Sequence, residues 1–148
     1  DEKVAEITAK YNLACCLMHN RKEALYNNFI EDVISDIKES ISIAEKHNVD
    51  KNKIIIDPGV GFAKTYEQNL EIINKLEELH KLNLPILLGT SRKSVIALTL
   101  NLPVNERVEG TIATTVLGVI KNALFVRVHD IKENKRAILM TEKILGRW

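Results

Sequence analysis

Three short polar segments, each placed directly after an apolar run, hold the residues of this chain best suited to chemistry. Gly89-Thr90-Ser91-Arg92-Lys93-Ser94 follows Leu84-Pro85-Ile86-Leu87-Leu88. The other two are Ile56-Asp57-Pro58-Gly59-Val60-Gly61-Phe62-Ala63-Lys64 and Val126-Arg127-Val128-His129-Asp130. Cations, hydroxyls and free backbone N–H groups at a strand-to-helix junction suit an anion or a polar ring. Recurrence at the same end of successive strands describes a shared pocket better than three unrelated loops.

Each group has a plain structural alternative. Asp57 follows three isoleucines and so needs hydrogen-bond partners. It suits the donor edge of a guanidine-like or aminopyrimidine ring, and equally a brace for the Asp-Pro-Gly turn. Gly59 and Gly61 permit a tight path, and Phe62 can form an apolar wall. Lys93 can donate to a carbonyl or ring nitrogen, Arg92 can stack on an aromatic ring, and Ser94 with the first helical amides can hold a carboxylate; an exposed cationic loop is the alternative. Arg127 and His129 alternate with valines, share one side of their strand and suit a phosphate or pyrophosphate, or else are surface groups. His19 can line the same mouth, but the reading preferred is a satisfied loop histidine. His47 and His80 fall at helix C-termini, where dipole and exposure account for them.

The segments match neither a Walker A loop nor the dinucleotide fingerprint. No Cys/His ligand set, Ser/His/Asp arrangement or HExxH supports zinc chemistry or covalent hydrolysis. The inventory is for binding.

The elements that must position these groups alternate between helix and strand. Helical segments are expected at Val4–Lys10, Asn28–Lys46, from Thr65 onward, Ser94–Leu100, Asn105–Lys121 and Lys132–Leu145. Strands are expected at Leu13–Met18, Lys53–Ile56, Pro85–Leu88 and Leu124–Val128, the first fully buried. The second helix carries a stripe of Phe29, Val33, Ile34, Ile37, Ile41 and Ala44. The third opens on the capping-box pattern Thr65-x-x-Gln68 and continues through Leu70, Ile73, Leu76 and Leu79. Four βα units predict an α/β fold with parallel strands, either doubly wound or half of a (β/α)8 barrel, with function at the carboxyl ends of the strands.

At 148 residues, 45% hydrophobic and 28% charged, the chain is expected to be one globular unit spanning 1–148. A formal charge of +1 gives no electrostatic case for nucleic acid or an anionic membrane as partner. Cys15 and Cys16, adjacent and with no third cysteine, are expected to be small buried side chains in a reducing, cytoplasmic setting. The opening Asp1-Glu2-Lys3-Val4 reads as helix interior, so the chain is expected to be a fragment.

Four segments taken together resemble dihydropteroate synthase: Cys16-Leu-Met-His19, Ile56-Asp-Pro-Gly-Val-Gly-Phe-Ala-Lys64, Leu88-Gly-Thr-Ser-Arg-Lys-Ser94 and Arg127-Val-His-Asp130. Their order and spacing match the second half of that family's pterin-binding (β/α)8 barrel. The resemblance implies condensation of a hydroxymethyl-dihydropterin pyrophosphate with 4-aminobenzoate in folate biosynthesis, with Mg²⁺, in a sulfonamide-target enzyme. By resemblance, Asp57 and Lys93 bind the pterin, Met18 and Phe62 pack near it, and Gly89 lets the backbone approach. Arg92 and Ser94 meet aminobenzoate, and Arg127 and His129 hold the pyrophosphate.

Val60 and Ala63 stand where relatives often have Phe and Gly, changes the backbone is expected to tolerate. Nothing here matches the family's first four strands, which supply the Asn on the metal side and further pterin-binding residues. This chain alone is therefore expected to be inactive, and its uncovered strand edges favour a homodimer. The rivals are a methyltetrahydrofolate-binding methyltransferase domain, expected to lack Arg92, Lys93, Arg127 and His129, and a non-catalytic self-associating module.

Overall fold

The computed structural model describes residues 1–147. Its order is α1 (Glu2–Lys10), β1 (Cys15–Met18), α2 (Phe29–Lys46), β2 (Ile54–Asp57), α3 (Tyr66–Asn74), β3 (Leu87–Leu88), α4 (Ser94–Leu100), α5 (Val108–Ile120), β4 (Phe125–Val126) and α6 (Ile131–Ile144). β1 pairs in parallel with β2, Met18 lying opposite Asp57, and β3 pairs in parallel with β4. The two pairs are joined at Ile56 and Ile86, where the Ile56 N–H donates to Pro85 O at 2.9 Å. The strands thus stand in chain order, each followed by a helix: half of a (β/α)8 barrel. Among the described residues no helix is long and apolar enough to cross a membrane.

Alternation along each strand divides the two faces. Ile54, Ile56, Ile86 and Leu88 point outward and are buried among helix residues including Val33, Ile37, Ile72 and Leu76. Cys16, Met18 and Phe125 occupy the other face and are exposed. β1 is therefore not fully buried as its composition predicts. Cys16 is exposed and Cys15 only half-buried, because the barrel's inner face has no opposing strands within this chain.

Several boundaries differ from the sequence reading for local reasons. The Asp1 carboxylate caps α1, accepting from the Lys3 and Val4 N–H groups. In α2, Ile30 joins the buried stripe, and Phe29, half-buried against the same core, packs edge-on against Tyr26. The Thr65–Gln68 capping box forms as expected. α3 then tightens into a 3₁₀ segment, Leu76–Leu82; within α3 the buried stripe is Asn69, Ile72 and Ile73, at helical spacing from Leu76, and Leu70 is 41% exposed. Asn105 caps nothing, lying inside a 3₁₀ turn (Val104–Glu106) that Pro103 opens; α5 starts three residues later. His47 and His80 are half-buried rather than exposed, and His80 Nε2 lies 2.9 Å from Lys121 O.

Candidate active site

Asp57 ends β2, and its buried carboxylate has two distinct oxygens. Oδ1 accepts the Gly59 N–H at 2.7 Å, bracing the turn. Oδ2 faces the space beside Gly89, where an added Cβ would sit 3.9 Å from Oδ2 and 3.6 Å from Arg127 Nε. The two sequence readings of Asp57 are thus compatible: one oxygen is spent on the turn and the other is left toward the strand ends. Burial raises the Asp57 pKa, opposed by the Gly59 N–H and by Lys93, Arg127 and Lys64. One carboxylate is surrounded by three cations, which favours an anionic ligand.

The turn after β2 is held in an unusual path. Gly59 and Gly61 have φ of +69° and +83°, and Ala63 has +44°. A Cβ on Gly59 would overlap the His19 carbonyl oxygen, so glycine is required there on two counts. Ala63 adopts the left-handed conformation at a cost that glycine would avoid. The Asn69 side chain accepts from Gly61 N at 2.6 Å, and the Tyr26 hydroxyl donates to Ala63 O at 2.8 Å. Phe62 is left exposed at the turn's tip, with Lys93 Nζ 5.0 Å from its ring centre.

Lys93 precedes α4 and donates to Val60 O, which ties the loop after β3 to the turn after β2. Burial lowers its pKa, with Asp57 opposing and Arg127 adding to the shift. Gly89, Ser91, Lys93, Arg127, Val128 and His129 line a cavity of about 290 Å³. Ser91 is buried; its Oγ accepts the His129 N–H at 3.1 Å and lies 2.9 Å from His129 Nδ1. With Nδ1 engaged, Nε2 is the His129 nitrogen left for a ligand.

Asp57, Gly89, Lys93, Arg127 and His129 therefore converge, with Phe62 beside Lys93 and Met18 opposite Asp57 in the strand register. Arg92 and Ser94 do not line that cavity. The Arg92 guanidinium forms a two-pronged pair with Asp130, Nη2–Oδ1 2.6 Å and Nε–Oδ2 3.2 Å. Its φ of +59° is fixed by Thr111 Oγ1, which accepts the Arg92 N–H, and by Arg107, which donates to Arg92 O. Ser94 is exposed on the first turn of α4.

Sequence reasoning gave no role to Lys64, Asp36 or Ser91. Lys64 had a visible signal, closing the Asp57–Lys64 segment. His19 is 2% exposed and bonded on both sides, to Asp36 and Lys64, a satisfied histidine that faces the turn and not the cavity. Burial and the Lys64 charge push its pKa down to about 4, against the Asp36 hydrogen bond. Burial likewise pushes Lys64 down to about 8. Among the described residues no group of three or more His, Cys, Asp or Glu side chains could hold a metal.

The fold and these groups define a class: half of a (β/α)8 barrel whose carboxyl-terminal mouth sets a fixed carboxylate among cations. Residues 1–129 match the family model described as pterin binding enzyme, and the chain belongs to that family. It is 58% identical over 148 residues to a dihydropteroate synthase of Clostridium beijerinckii, covering 99% of this chain and 55% of the relative. For the Bacillus subtilis dihydropteroate synthase the values are 48% over 147 residues, 99% and 52%. The chain spans about half the length of the curated relatives it matches. Among solved structures, the Clostridium difficile dihydropteroate synthase, determined in the presence of pteroic acid, superposes with a TM-score of 0.95 at 47% identity, covering 97% of this chain and 55% of that one. A Yersinia pestis dihydropteroate synthase in a sulfonamide drug complex gives 0.92 at 34%, covering 96% and 54%.

Proposed function

We propose that this chain forms one half of the active site of a dihydropteroate synthase and does not turn over by itself. The reaction joins the 4-aminobenzoate nitrogen to the methylene carbon of a hydroxymethyl-dihydropterin pyrophosphate. A C–N bond forms, the C–O bond to pyrophosphate breaks, and the nitrogen gives up a proton. No protein nucleophile is needed; the protein orients the two reactants and neutralises the leaving group.

In this reading Asp57 Oδ2 accepts from the pterin's amino and ring N–H groups. Lys93 leaves Val60 O to donate to the pterin carbonyl and a ring nitrogen. Phe62 and Met18 flank the ring, and Gly89 leaves room for it. Arg127 and His129 hold the pyrophosphate. Arg92 and Ser94 serve aminobenzoate, from the rim of the site. Magnesium would be held with the pyrophosphate by groups outside this chain, since the described residues offer it no carboxylate set. The exposed inner face and the open edges of β1 and β4 support self-association of this chain as a homodimer, which sedimentation would test.

The observation that carries the reading is the meeting of Asp57 Oδ2 and the Arg127 guanidinium at the side-chain-free face of Gly89. The test is aminobenzoate-dependent pyrophosphate release by the whole protein, with calorimetry of pterin pyrophosphate binding. Lys93→Ala is expected to abolish detectable pterin binding; unchanged affinity would refute the role given to Lys93.

A further inference from the structure

His19 lies outside the cavity, yet its ring and backbone both reach the turn that the cavity is built on. The His19 N–H donates to Asp57 O at 2.9 Å, extending the β1–β2 ladder past the strand end. Its Nδ1 lies 2.8 Å from Lys64 Nζ and its Nε2 lies 3.0 Å from Asp36 Oδ2. An ammonium only donates, so Nδ1 accepts; the ring proton then sits on Nε2 and points at the carboxylate. The two partners fix one neutral tautomer. Asp36 is itself gripped by Arg21, through Nε and, at 3.1 Å, through Nη2.

Lys64 has three acceptors, matching the three hydrogens of its ammonium: His19 Nδ1, Gly59 O at 3.0 Å and Phe62 O at 3.0 Å. The two carbonyls belong to the turn whose Gly59 N–H holds Asp57 and whose tip presents Phe62. Neither Arg92 nor Ser94, on the loop after β3, is touched by this array.

We infer that His19 and Lys64 are positioning residues: the Asp36–His19–Lys64 array locks the Gly59–Phe62 turn from behind and thereby sets Asp57 and Phe62 for the pterin, without acting on aminobenzoate. The inference rests on the pterin-binding reading above. The array aims the third ammonium hydrogen at the ring, so that both carbonyls stay engaged and the turn cannot open toward solvent. Loss of either partner frees the turn, and Asp57 Oδ2 loses its fixed place.

The test uses the whole protein with His19→Leu, Lys64→Met, the double variant and His19→Gln, whose amide can offer oxygen to Lys64 and N–H to Asp36. His19→Leu and Lys64→Met are each expected to raise the KM for pterin pyrophosphate about tenfold or more, with the aminobenzoate KM held within about twofold. The double variant should be no worse than Lys64→Met, and His19→Gln should recover most of the loss. An unchanged pterin KM, a parallel rise in both KM values, or effects that multiply in the double variant would overturn the inference. If His19→Leu does not fold, Lys64→Met and His19→Gln carry the comparison. Calorimetric pterin binding separates the two levels. A wild-type protein that binds no pterin defeats the functional reading, whereas wild type and variants binding equally defeats only the positioning role.

Discussion

Acid should destabilise this protein through His19, and replacing that residue should remove the effect. The side chain is fully buried, and its pKa falls from 6.5 to about 4 on folding, chiefly through burial and secondly through the Lys64 charge. A depressed value means the unfolded chain binds the proton more tightly. The stability is therefore fully present above pH 6.5 and is lost as the pH falls from 6.5 toward 4. The two values differ by about 2.5, and at about 1.36 kcal/mol for each pK unit the whole loss is capped at about 3.4 kcal/mol. At pH 5 the linkage integral gives about 2 kcal/mol. Asp57 works in the opposite direction, since its burial raises its pKa and acid relieves that burden. Asp36 loses stability only in more acid solution, its pKa being lowered by Arg21 and, against burial, by His19. The assay is urea unfolding of wild type and His19→Gln at pH 7.5 and pH 5, compared as a double difference so that other groups cancel. Wild type should lose about 2 kcal/mol more than the variant over that interval. Parallel losses in the two proteins would show that His19 titrates normally, and the buried neutral ring would be refuted.

Gly89→Ala should fold with stability within about 1 kcal/mol of wild type, because the new Cβ meets Arg127 and Asp57 only at ordinary contact distances of 3.6–3.9 Å; calorimetry should nevertheless show pterin affinity falling at least about tenfold, since the methyl enters the space between them. Ala63→Gly should raise stability by about 1 kcal/mol in a urea titration, because φ is +44° at that position. Asn134→Leu should cost about 1–3 kcal/mol by the same method, since Asn134 is fully buried and its Oδ1 accepts from the Thr115 hydroxyl at 2.7 Å, joining α5 to α6.

What the sequence made legible was local. Apolar runs ending in Asp57, Gly89 and Arg127 are strands whose ends meet, since each run has the length and parity to put its last polar residue on the inner face. The Thr65–Gln68 box is legible because both partners lie within one turn of helix. The exposure of Cys16 was not legible, because an inner-facing residue looks the same in the sequence whether or not other strands close over it. The exchange of Leu70 for Ile72 was not legible because the buried stripe of α3 runs through a polar residue, Asn69, so that Leu70 looks like the apolar member of the stripe. The Asp36–His19–Lys64 array joins three elements across 17 and 45 residues, a pairing that no local spacing rule reaches.

The cations of this site differ in how readily they can be redirected, and that difference sorts their roles. Lys93 is held by one backbone carbonyl and rests over an exposed ring, so a ligand carbonyl replaces like with like. The Lys93 end of the site can exchange an internal contact for a ligand contact at little net cost. Lys64 is bound by three acceptors and would have to leave two of them unsatisfied, which keeps it structural. Arg92 is committed to Asp130 through both edges of its fork, and its backbone is pinned by Thr111 and Arg107. A carboxylate that recruited this guanidinium would have to strip it from another carboxylate. The flat face of the guanidinium, by contrast, is not consumed by in-plane hydrogen bonds and can lie along an aromatic ring while Asp130 keeps hold of the edge. Under the proposed function, Arg92 would therefore offer the aminobenzoate ring a surface, and the ligand's carboxylate would go to other donors. Within the function proposed above, Asp130 would act on that ring only indirectly, by holding the plane of Arg92 in place.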